Sequence, residues 1–423
     1  MHPYLDHDLY DVAVLTIFKT YSSFSYKPQH SQWTILASFF LSRQDDLQSD
    51  VDDSKIKIIG LATGTKCLPA TRLSSRGEVL HDCHAEVLAR RATLKWFLEE
   101  IMRIRASENG TVSSQWIVEG TDGKYTLRVG VQLNLYVSTL PCGDASMRYL
   151  AGLQDEGMAT LKNFDIFPNL DPTATSRGRD NYSRLGALRT KPGRADSPPT
   201  LCMSCSDKIA RWNALGIQGA LSSRFLSPLY IGTMIIGEVP PDMEGVVRED
   251  CERAFWKRLD DLADHFSVHH PTLHFTNLPF VHSRSALGSS TSCNESLCWT
   301  ADSRSFEVII NGLKRGVSPK DRYREKSRPR LSKIALFNLY KDVLHSFGDS
   351  LSSSTSATQT YLQVKLASKD YQTAKNRLIG KDGPFSGWVP TGIQWQIFNI
   401  NGDNLSASPT QFMDTETAGS ISS

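Results

Sequence analysis

The chain has 423 residues, 40% hydrophobic and 22% charged, globular proportions that exclude a collagenous, coiled-coil or mainly disordered protein and allow a large core. No run of about 18 apolar residues occurs, so no membrane-spanning helix is expected. The net charge of +2 conceals an asymmetry: Lys314 to Lys381 holds 15 Lys/Arg against 5 Asp/Glu, leaving the remainder at −8 and pointing to a polyanionic partner near the C-terminal third.

Met1-His2-Pro3-Tyr4 opens without a basic patch and apolar stretch, so no secretory signal is expected and the protein reads as intracellular, nuclear or cytoplasmic. Eight cysteines are then expected as thiols or metal ligands rather than disulfides. Leu9 to Tyr21 reads as an amphipathic helix, and Trp33 to Leu41 and Lys55 to Leu61 as strands. Cys83 to Ile104 is long, helix-prone and free of Gly and Pro. Gln132 to Ser138 alternates as a strand and ends at Pro141-Cys142-Gly143, after which Asp144 to Leu153 is helical in pattern. This alternation predicts an α/β layered domain with helices against a sheet. Residues 155–200, rich in Gly, Pro, Ser and Arg, read as a long loop insertion. Ser206 to Leu215 and Val246 to Phe266 are predicted helices, Tyr230 to Gly237 and Ser305 to Ile310 strands. Leu331 to Phe347 and Tyr361 to Leu378 are two further helices, separated by a Ser-rich stretch. One domain is expected over residues 1–403, followed by a disordered Ser/Thr-rich tail at 404–423.

His84-Ala85-Glu86 stands at the start of the long helix, and the later strand ends in Pro141-Cys142. An imidazole at a helix start and a thiolate at a strand end project from one edge of an α/β layer and can share a Zn2+. Glu86, two residues beyond the histidine, then lies beside the metal rather than on it. His-x-Glu followed by Pro-Cys is the pattern of zinc nucleobase deaminases, in which the metal activates water and the carboxylate moves its protons. Position 145 is Ala where that pattern's second cysteine would stand, so a third ligand must come from elsewhere. Leu201-Cys202-Met203-Ser204-Cys205-Ser206 opens a helix and offers two candidates. Cys205 is nearer the helix N-terminus, which favours the thiolate. Each fragment alone has a bland reading, as a chance motif or a buried core thiol. Order and context together favour a metal site, and three ligands beside an acid describe an open catalytic position rather than a closed structural one.

Four segments carry a family resemblance: Ala62-Thr63-Gly64-Thr65-Lys66-Cys67-Leu68; Val79 to Arg91, containing His81-Asp82-Cys83-His84-Ala85-Glu86; Pro141-Cys142-Gly143-Asp144-Ala145-Ser146; and Met203 to Asn213. Together they resemble the adenosine-to-inosine deaminase domain shared by double-stranded RNA editing enzymes and tRNA-specific adenosine deaminases. The resemblance extends to Trp388 and covers most of the chain. It implies a cytidine-deaminase-like core, a mixed sheet with helices on both faces, and a helical C-terminal extension enclosing an inositol polyphosphate. It also implies His84, Cys142 and Cys205 as zinc ligands, Glu86 as proton shuttle, and Thr65 and Lys66 near the substrate nucleotide.

About fifty residues precede the first matching strand, too few for a double-stranded RNA-binding domain. Ser146 stands where the editing branch has Arg, and Leu188-Arg189-Thr190-Lys191 is followed by Pro192-Gly193-Arg194 rather than by that branch's base-extruding Glu. Both features resemble the tRNA branch, whose eukaryotic target is the adenosine immediately 3′ of the anticodon in tRNA-Ala. That base already sits in a single-stranded loop and needs less unstacking. A duplex-RNA editing deaminase, a free-nucleoside deaminase and a non-catalytic zinc and inositol-phosphate scaffold are the rival readings.

At about 100° per residue, Tyr361, Lys365, Tyr371 and Lys375 fall within one arc of roughly 120° on the predicted helix, overlapping Val364. Lysines intruding on an apolar stripe are costly unless they are paired or their stems reach the surface. The resemblance implies that these four, with His81, Arg90, Arg91, Lys208, Arg211, Trp212, Gln218, Lys333 and Trp388, hold a buried inositol hexakisphosphate. Asp82 and Lys191 would join that site to the zinc. Pro390 and Thr391 depart from a Glu and Lys that the family can have, and Ala220 from a possible hydroxyl. His265, His269 and His270 have helical metal spacing but read as a solvated helix end. Cys293 and Cys298 have no assigned role. Nine Lys/Arg against two acids from Lys314 to Lys333 suggest phosphate contact, with a solvated face as the bland reading.

Overall fold

The strand β1 (Leu36–Arg43) is buried along all but its last residue, the mark of a central strand covered on both faces. Ala37, Phe39 and Leu41 enter one hydrophobic cluster and Leu36 and Phe40 another, following the two-residue period of a strand. In the computed structural model, which describes residues 3–29, 31–43, 55–106, 112–152, 174–193, 197–260, 268–348 and 359–405, β1 lies inside an eight-stranded mixed sheet.

On one side β1 pairs antiparallel with β2 (Ile56–Thr63), and a short pair, β3 (Thr65–Cys67) and β4 (Asp82–His84), follows β2 in the chain. A small hairpin, β5 (Ile117–Glu119) and β6 (Tyr125–Leu127), leads into β7 (Val131–Val137), which pairs antiparallel with the other side of β1. The short parallel strands β8 (Ser176–Arg177) and β9 (Arg189–Thr190) stand apart from the main sheet. β10 (Thr233–Gly237) runs parallel to β7, and β11 (Thr272–Thr276) parallel to β10. β12 (Glu295–Thr300), β13 (Glu307–Ile310) and β14 (Leu313–Lys314) extend the β2 edge antiparallel.

Helix α1 (Pro3–Ser22) covers one face, setting Ala13, Val14, Ile17 and Tyr21 against Leu36, Phe40 and Leu61. Helix α2 (Ala85–Arg105) crosses β1, β2 and β12 on the other. Gly60 permits that crossing: a Cβ there would lie 2.5 Å from Thr93 Oγ1 and 2.7 Å from the Ala89 carbonyl. Helices α3 (Cys205–Leu215), α4 (Glu244–Glu252) and α5 (Lys333–Ser346) complete the layers. None of the described helices is long and apolar enough to cross a membrane.

Two expectations change. The segment Tyr361 to Leu378 is not one helix but two, α6 (Tyr361–Ala367) and α7 (Lys369–Ile379), broken at Ser368, whose ψ of 71° is non-helical and whose hydroxyl donates to the Ala220 carbonyl. Thr360 starts α6 with a capping box to Gln363. Beyond α4 a π-helical turn spans Arg253–Lys257, and helical backbone continues to Asp260, the last described residue before 261–267, which lie outside the described part. Of the expected insertion, 155–173 and 194–196 lie outside it too, as do the Ser-rich stretch and the tail beyond Leu405. The described remainder of the insertion is not peripheral, because it contains the buried Arg189 and Lys191. β11 and β12 were not anticipated.

Candidate metal centre and catalytic site

β3 and β4 pair in the register Thr65 to His84, Lys66 to Cys83 and Cys67 to Asp82. His84 ends β4 and, with extended backbone, caps α2. Its position is fixed on both sides: its own amide donates to Asp82 Oδ1 at 3.0 Å, and that of Ala85 to the Gly64 carbonyl at 3.0 Å. Glu86 therefore falls in the first turn of α2, 1% exposed.

Cys142 arrives from β7 through a turn that requires glycine. Gly143 has φ +107°, and a Cβ on it would meet Ser204 Oγ at 2.2 Å. Ser204 is the N-cap of α3: its hydroxyl accepts from the Asp207 amide and donates to Asp207 Oδ2. The helix N-terminus is thereby turned on Cys142, whose sulfur accepts from the Cys205 amide at 3.4 Å and whose carbonyl accepts from the Ser206 amide at 3.0 Å.

His84 Nδ1 lies 3.8 Å from Cys142 Sγ and 3.7 Å from Cys205 Sγ, and the three donor atoms lie within 4.8 Å of one another. Tetrahedral Zn2+ with ordinary bond lengths places sulfur and nitrogen ligands about 3.5 Å apart, so the donor set fits this ion in size as in softness. A hydrogen bond from the Cys205 thiol, aided by Lys191 and His84, holds the Cys142 thiol well below its ordinary range. Burial pushes the Glu86 carboxyl up, and its Oε2 is buried with no protein partner. Three ligands beside an acid with one oxygen left free of protein partners are what an open, water-activating site needs.

Lys191, 3% exposed, donates to Asp82 Oδ1 and Oδ2 at 3.1 and 2.9 Å and to Cys205 Sγ at 3.1 Å. Lys208 forms a second ion pair with Asp82. Against the cost of burial, the two ammonium groups hold the Asp82 carboxyl well below the usual range. Of the two cysteines between which the sequence left a choice, the structure brings Cys205 to His84; Cys202 turns to the His81 carbonyl, with its sulfur at 3.6 Å. Thr65 and Lys66, on the strand paired with His84, reach the 292–293 loop: Lys66 Nζ is 2.8 Å from Ser292 Oγ and Thr65 Oγ1 3.5 Å from the Cys293 carbonyl.

Beyond Lys208 lies a cavity of about 200 Å3 lined by His81, Asp82, Arg91, Lys208, Arg211, Lys333 and Trp388. Lys333 Nζ is 3.4 Å from His81 Nδ1 and donates to the Trp395 carbonyl at 3.3 Å. Arg211 donates to the Tyr371 hydroxyl at 2.9 Å and lies over Trp388, Arg90 lies over Trp212, and Lys365 over Tyr361. Burial, then Lys375 and Arg211, push Lys365 down to about 7. Burial, then Lys365 and Arg91, push Lys333 well below its ordinary value, and Lys375 is lowered by burial and Arg211. His81 Nε2 and Arg90 Nε are buried without a protein partner. Buried cations this numerous, around an Asp82 already shared by two lysines, fit an anion of high charge. Gln218 stands apart, both ends of its amide taken by the Leu215 carbonyl and the Leu229 amide.

The model of the adenosine-deaminase (editase) domain matches residues 60–391. The chain belongs to that family. It is 33% identical to the tRNA-specific adenosine deaminase 1 of Schizosaccharomyces pombe, over 86% of this chain and 89% of that protein. It is 29% identical to the protein of the same name from Saccharomyces cerevisiae, over 85% and 86%. It is also 29% identical to the double-stranded RNA-specific editase Adar of Drosophila melanogaster, over 81% of this chain and 49% of that protein.

One residue of this deaminase domain escaped sequence reasoning. Arg189 is 0% exposed and donates to the carbonyls of Gly178 (3.2 Å), Asp180 (2.7 Å), Asn181 (2.9 Å) and Arg184 (2.7 Å), while its amide donates to Asp207 Oδ2. It ties the segment before Lys191 to the start of α3. Its signal was its place two residues before Lys191 in a stretch read as a loop. The basic run is more internally satisfied than composition suggested: Lys314 and Arg330 pair with Glu307, Arg315 with Glu295, Arg322 with Glu78 and Arg324 with Asp321. His269 and His270 lie in irregular backbone rather than at the solvated helix end expected, His269 stacked on Tyr230 and His270 on Trp256; His265 lies outside the described residues.

Proposed function

We propose that this protein is a zinc-dependent hydrolytic deaminase that converts adenosine to inosine in tRNA, at the adenosine immediately 3′ of the anticodon of tRNA-Ala. The observation that carries the chemistry is the meeting of His84, Cys142 and Cys205 beside the Glu86 carboxyl, whose buried Oε2 has no protein partner. Bound Zn2+ would supply a water acidic enough to attack adenine C6 near neutral pH. Glu86, in the apolar first turn of α2, takes one proton of that water and delivers it to N1, then carries the second, from the hydroxyl formed at C6, to the amino group, which leaves as ammonia. Its burial favours the proton-bearing form, which suits a group that must hold a proton between two acceptors. The α3 N-terminus and Lys191 face the sulfurs and balance their charge.

Choice of tRNA rests on the names of the Schizosaccharomyces pombe and Saccharomyces cerevisiae relatives and on Ser146 and Pro192, which depart from the editing branch. The cation-lined cavity is read as the seat of a structural inositol hexakisphosphate, held by His81, Arg91, Lys208, Arg211, Lys333 and Trp388 with Arg90, Tyr361, Lys365, Tyr371 and Lys375 around them. The decisive assay sets the purified protein on tRNA-Ala and on a long RNA duplex. Inosine in the tRNA supports the proposal; inosine in the duplex alone favours an editing enzyme. Glu86→Gln should lower the rate about 10²–10⁴-fold with zinc retained, and full turnover by this variant would remove Glu86 from the mechanism.

A further inference from the structure

Each cysteine of the metal centre is followed, two residues on, by a fully buried aspartate: Cys142 by Asp144 and Cys205 by Asp207. A buried carboxylate needs partners on both oxygens, and these two are met in the same way. Asp144 Oδ1 accepts from the Gly186 amide at 2.7 Å and its Oδ2 from Arg253 Nε at 3.0 Å. Asp207 Oδ2 accepts from the Arg189 amide at 2.9 Å and its Oδ1 from Arg258 Nη2 at 2.7 Å. One oxygen of each thus holds the segment that leads to Lys191, and the other holds an arginine from one turn beyond α4. That turn is the π-helical one. The Arg258 amide donates to the Arg253 carbonyl, so the two arginines are the ends of a single five-residue hydrogen bond. On an α-helix, residues five apart diverge by about 140°. The extra residue of the π turn reduces that divergence, and both guanidinium groups reach the loops of the metal centre. Asn213 of α3 donates to the Phe255 carbonyl at 3.1 Å and docks the turn on the helix that Cys205 begins.

We propose that Arg253 and Arg258 are positioning residues for the metal centre: through Asp144 and Asp207 the π turn sets the separation of Cys142 and Cys205 and carries Lys191 to the Cys205 sulfur. The inference rests on the reading of His84, Cys142 and Cys205 as zinc ligands. Arg253 grips the side chain of Asp144 and also its carbonyl, at 3.3 Å, and Arg258 spans Asp207 and the Ala254 carbonyl, the latter at 2.9 Å. A rigid guanidinium fork fixes the direction of its carboxylate, whereas an ammonium on a flexible stem keeps the charge without fixing the direction. Lysine in place of either arginine therefore preserves the charge balance and loses the alignment.

The test is zinc affinity of the full chain, measured by equilibrium competition with a chelating indicator, with urea denaturation run on the same samples. Arg253→Lys and Arg258→Lys should each bind zinc about 10–100-fold more weakly while still folded, the loss usual when a group that orients a metal ligand is removed. Asp144→Asn keeps the size and an acceptor for the Gly186 amide but turns a donor on Arg253, and should weaken zinc in the same range. Arg148→Met is the control: it takes a partner from Asp250, which Arg253 also holds, but touches neither Asp144 nor Asp207. It should lower the urea midpoint and leave zinc affinity unchanged. Unaltered affinity in the folded lysine and asparagine variants overturns the proposal, as does an equal loss in Arg148→Met, which would mark a general loosening. A chain that takes up no zinc sinks the ligand reading and the proposal together. Because the readout needs no RNA, failure to form inosine bears on the proposed function alone.

Discussion

Lys191 Nζ lies 2.9 Å from Asp82 Oδ2 and 3.1 Å from Cys205 Sγ, so one buried ammonium joins the carboxylate beside the cation-lined cavity to a sulfur of the metal centre. With Lys191 and Asp82 both almost wholly buried, neither charge has water to fall back on. Removing one partner of such a pair costs about 3–5 kcal/mol. Lys191→Met is therefore expected to lose about that much in urea denaturation and to lower the zinc retained per chain. Lys191→Arg should not rescue it, because a planar fork cannot replace a point charge serving three acceptors. An unchanged midpoint with full zinc would contradict this reading.

The closeness of α2 to the sheet rests on Gly60. A methyl at this position meets the backbone of Ala89 and Thr93 at 2.7 Å, and backbone cannot rotate aside. Gly60→Ala should destabilise by about 1–3 kcal/mol in urea. Since α2 carries Glu86 in its first turn and has His84 as its N-cap, the same change should reduce turnover even under conditions where the chain remains folded.

The cation cluster sets a pH signature. Lys365 is depressed to about 7 from 10.5 by burial and by Lys375 and Arg211. In the anion-free chain the unfolded state therefore binds more protons between those values, and stability falls as pH drops from about 10.5 to 7, levelling below. An anion that pairs the lysines reverses this penalty, so it must bind more tightly as they charge. Inositol hexakisphosphate added to stripped protein should raise the melting temperature more at pH 6 than at pH 9. Equal increments would show that Lys365 and Lys333 do not face the anion.

Much of this was legible in the sequence because it follows local rules. The β-rich run of β1, the Gly- and Pro-free length of α2, the helix start at Leu201 to Ser206 and the His84-Ala85-Glu86 spacing are each set within a few residues, and they placed the candidate ligands at strand ends and helix starts. Cys205 could be preferred over Cys202 from its place at a helix start, and the structure brings Cys205 to His84. What escaped depends on long-range contacts. Ser368 interrupts Tyr361 to Leu378 through a hydrogen bond to Ala220, which no helical period records. Arg189 looked like loop charge until the carbonyls it gathers were seen in space. The cations from Lys314 to Arg330 suggested a free basic face because Glu78, Glu295 and Glu307, their partners, are distant or inconspicuous in the chain.

X-ray absorption at the zinc edge on the purified native protein tests the central claim most directly. One zinc per chain is predicted, bound through two sulfurs and one protein nitrogen, with a sulfur lost in Cys205→Ser and the spectrum unchanged in Cys202→Ser. A chain without zinc, or a zinc whose sulfur shell ignores Cys205→Ser, would contradict it.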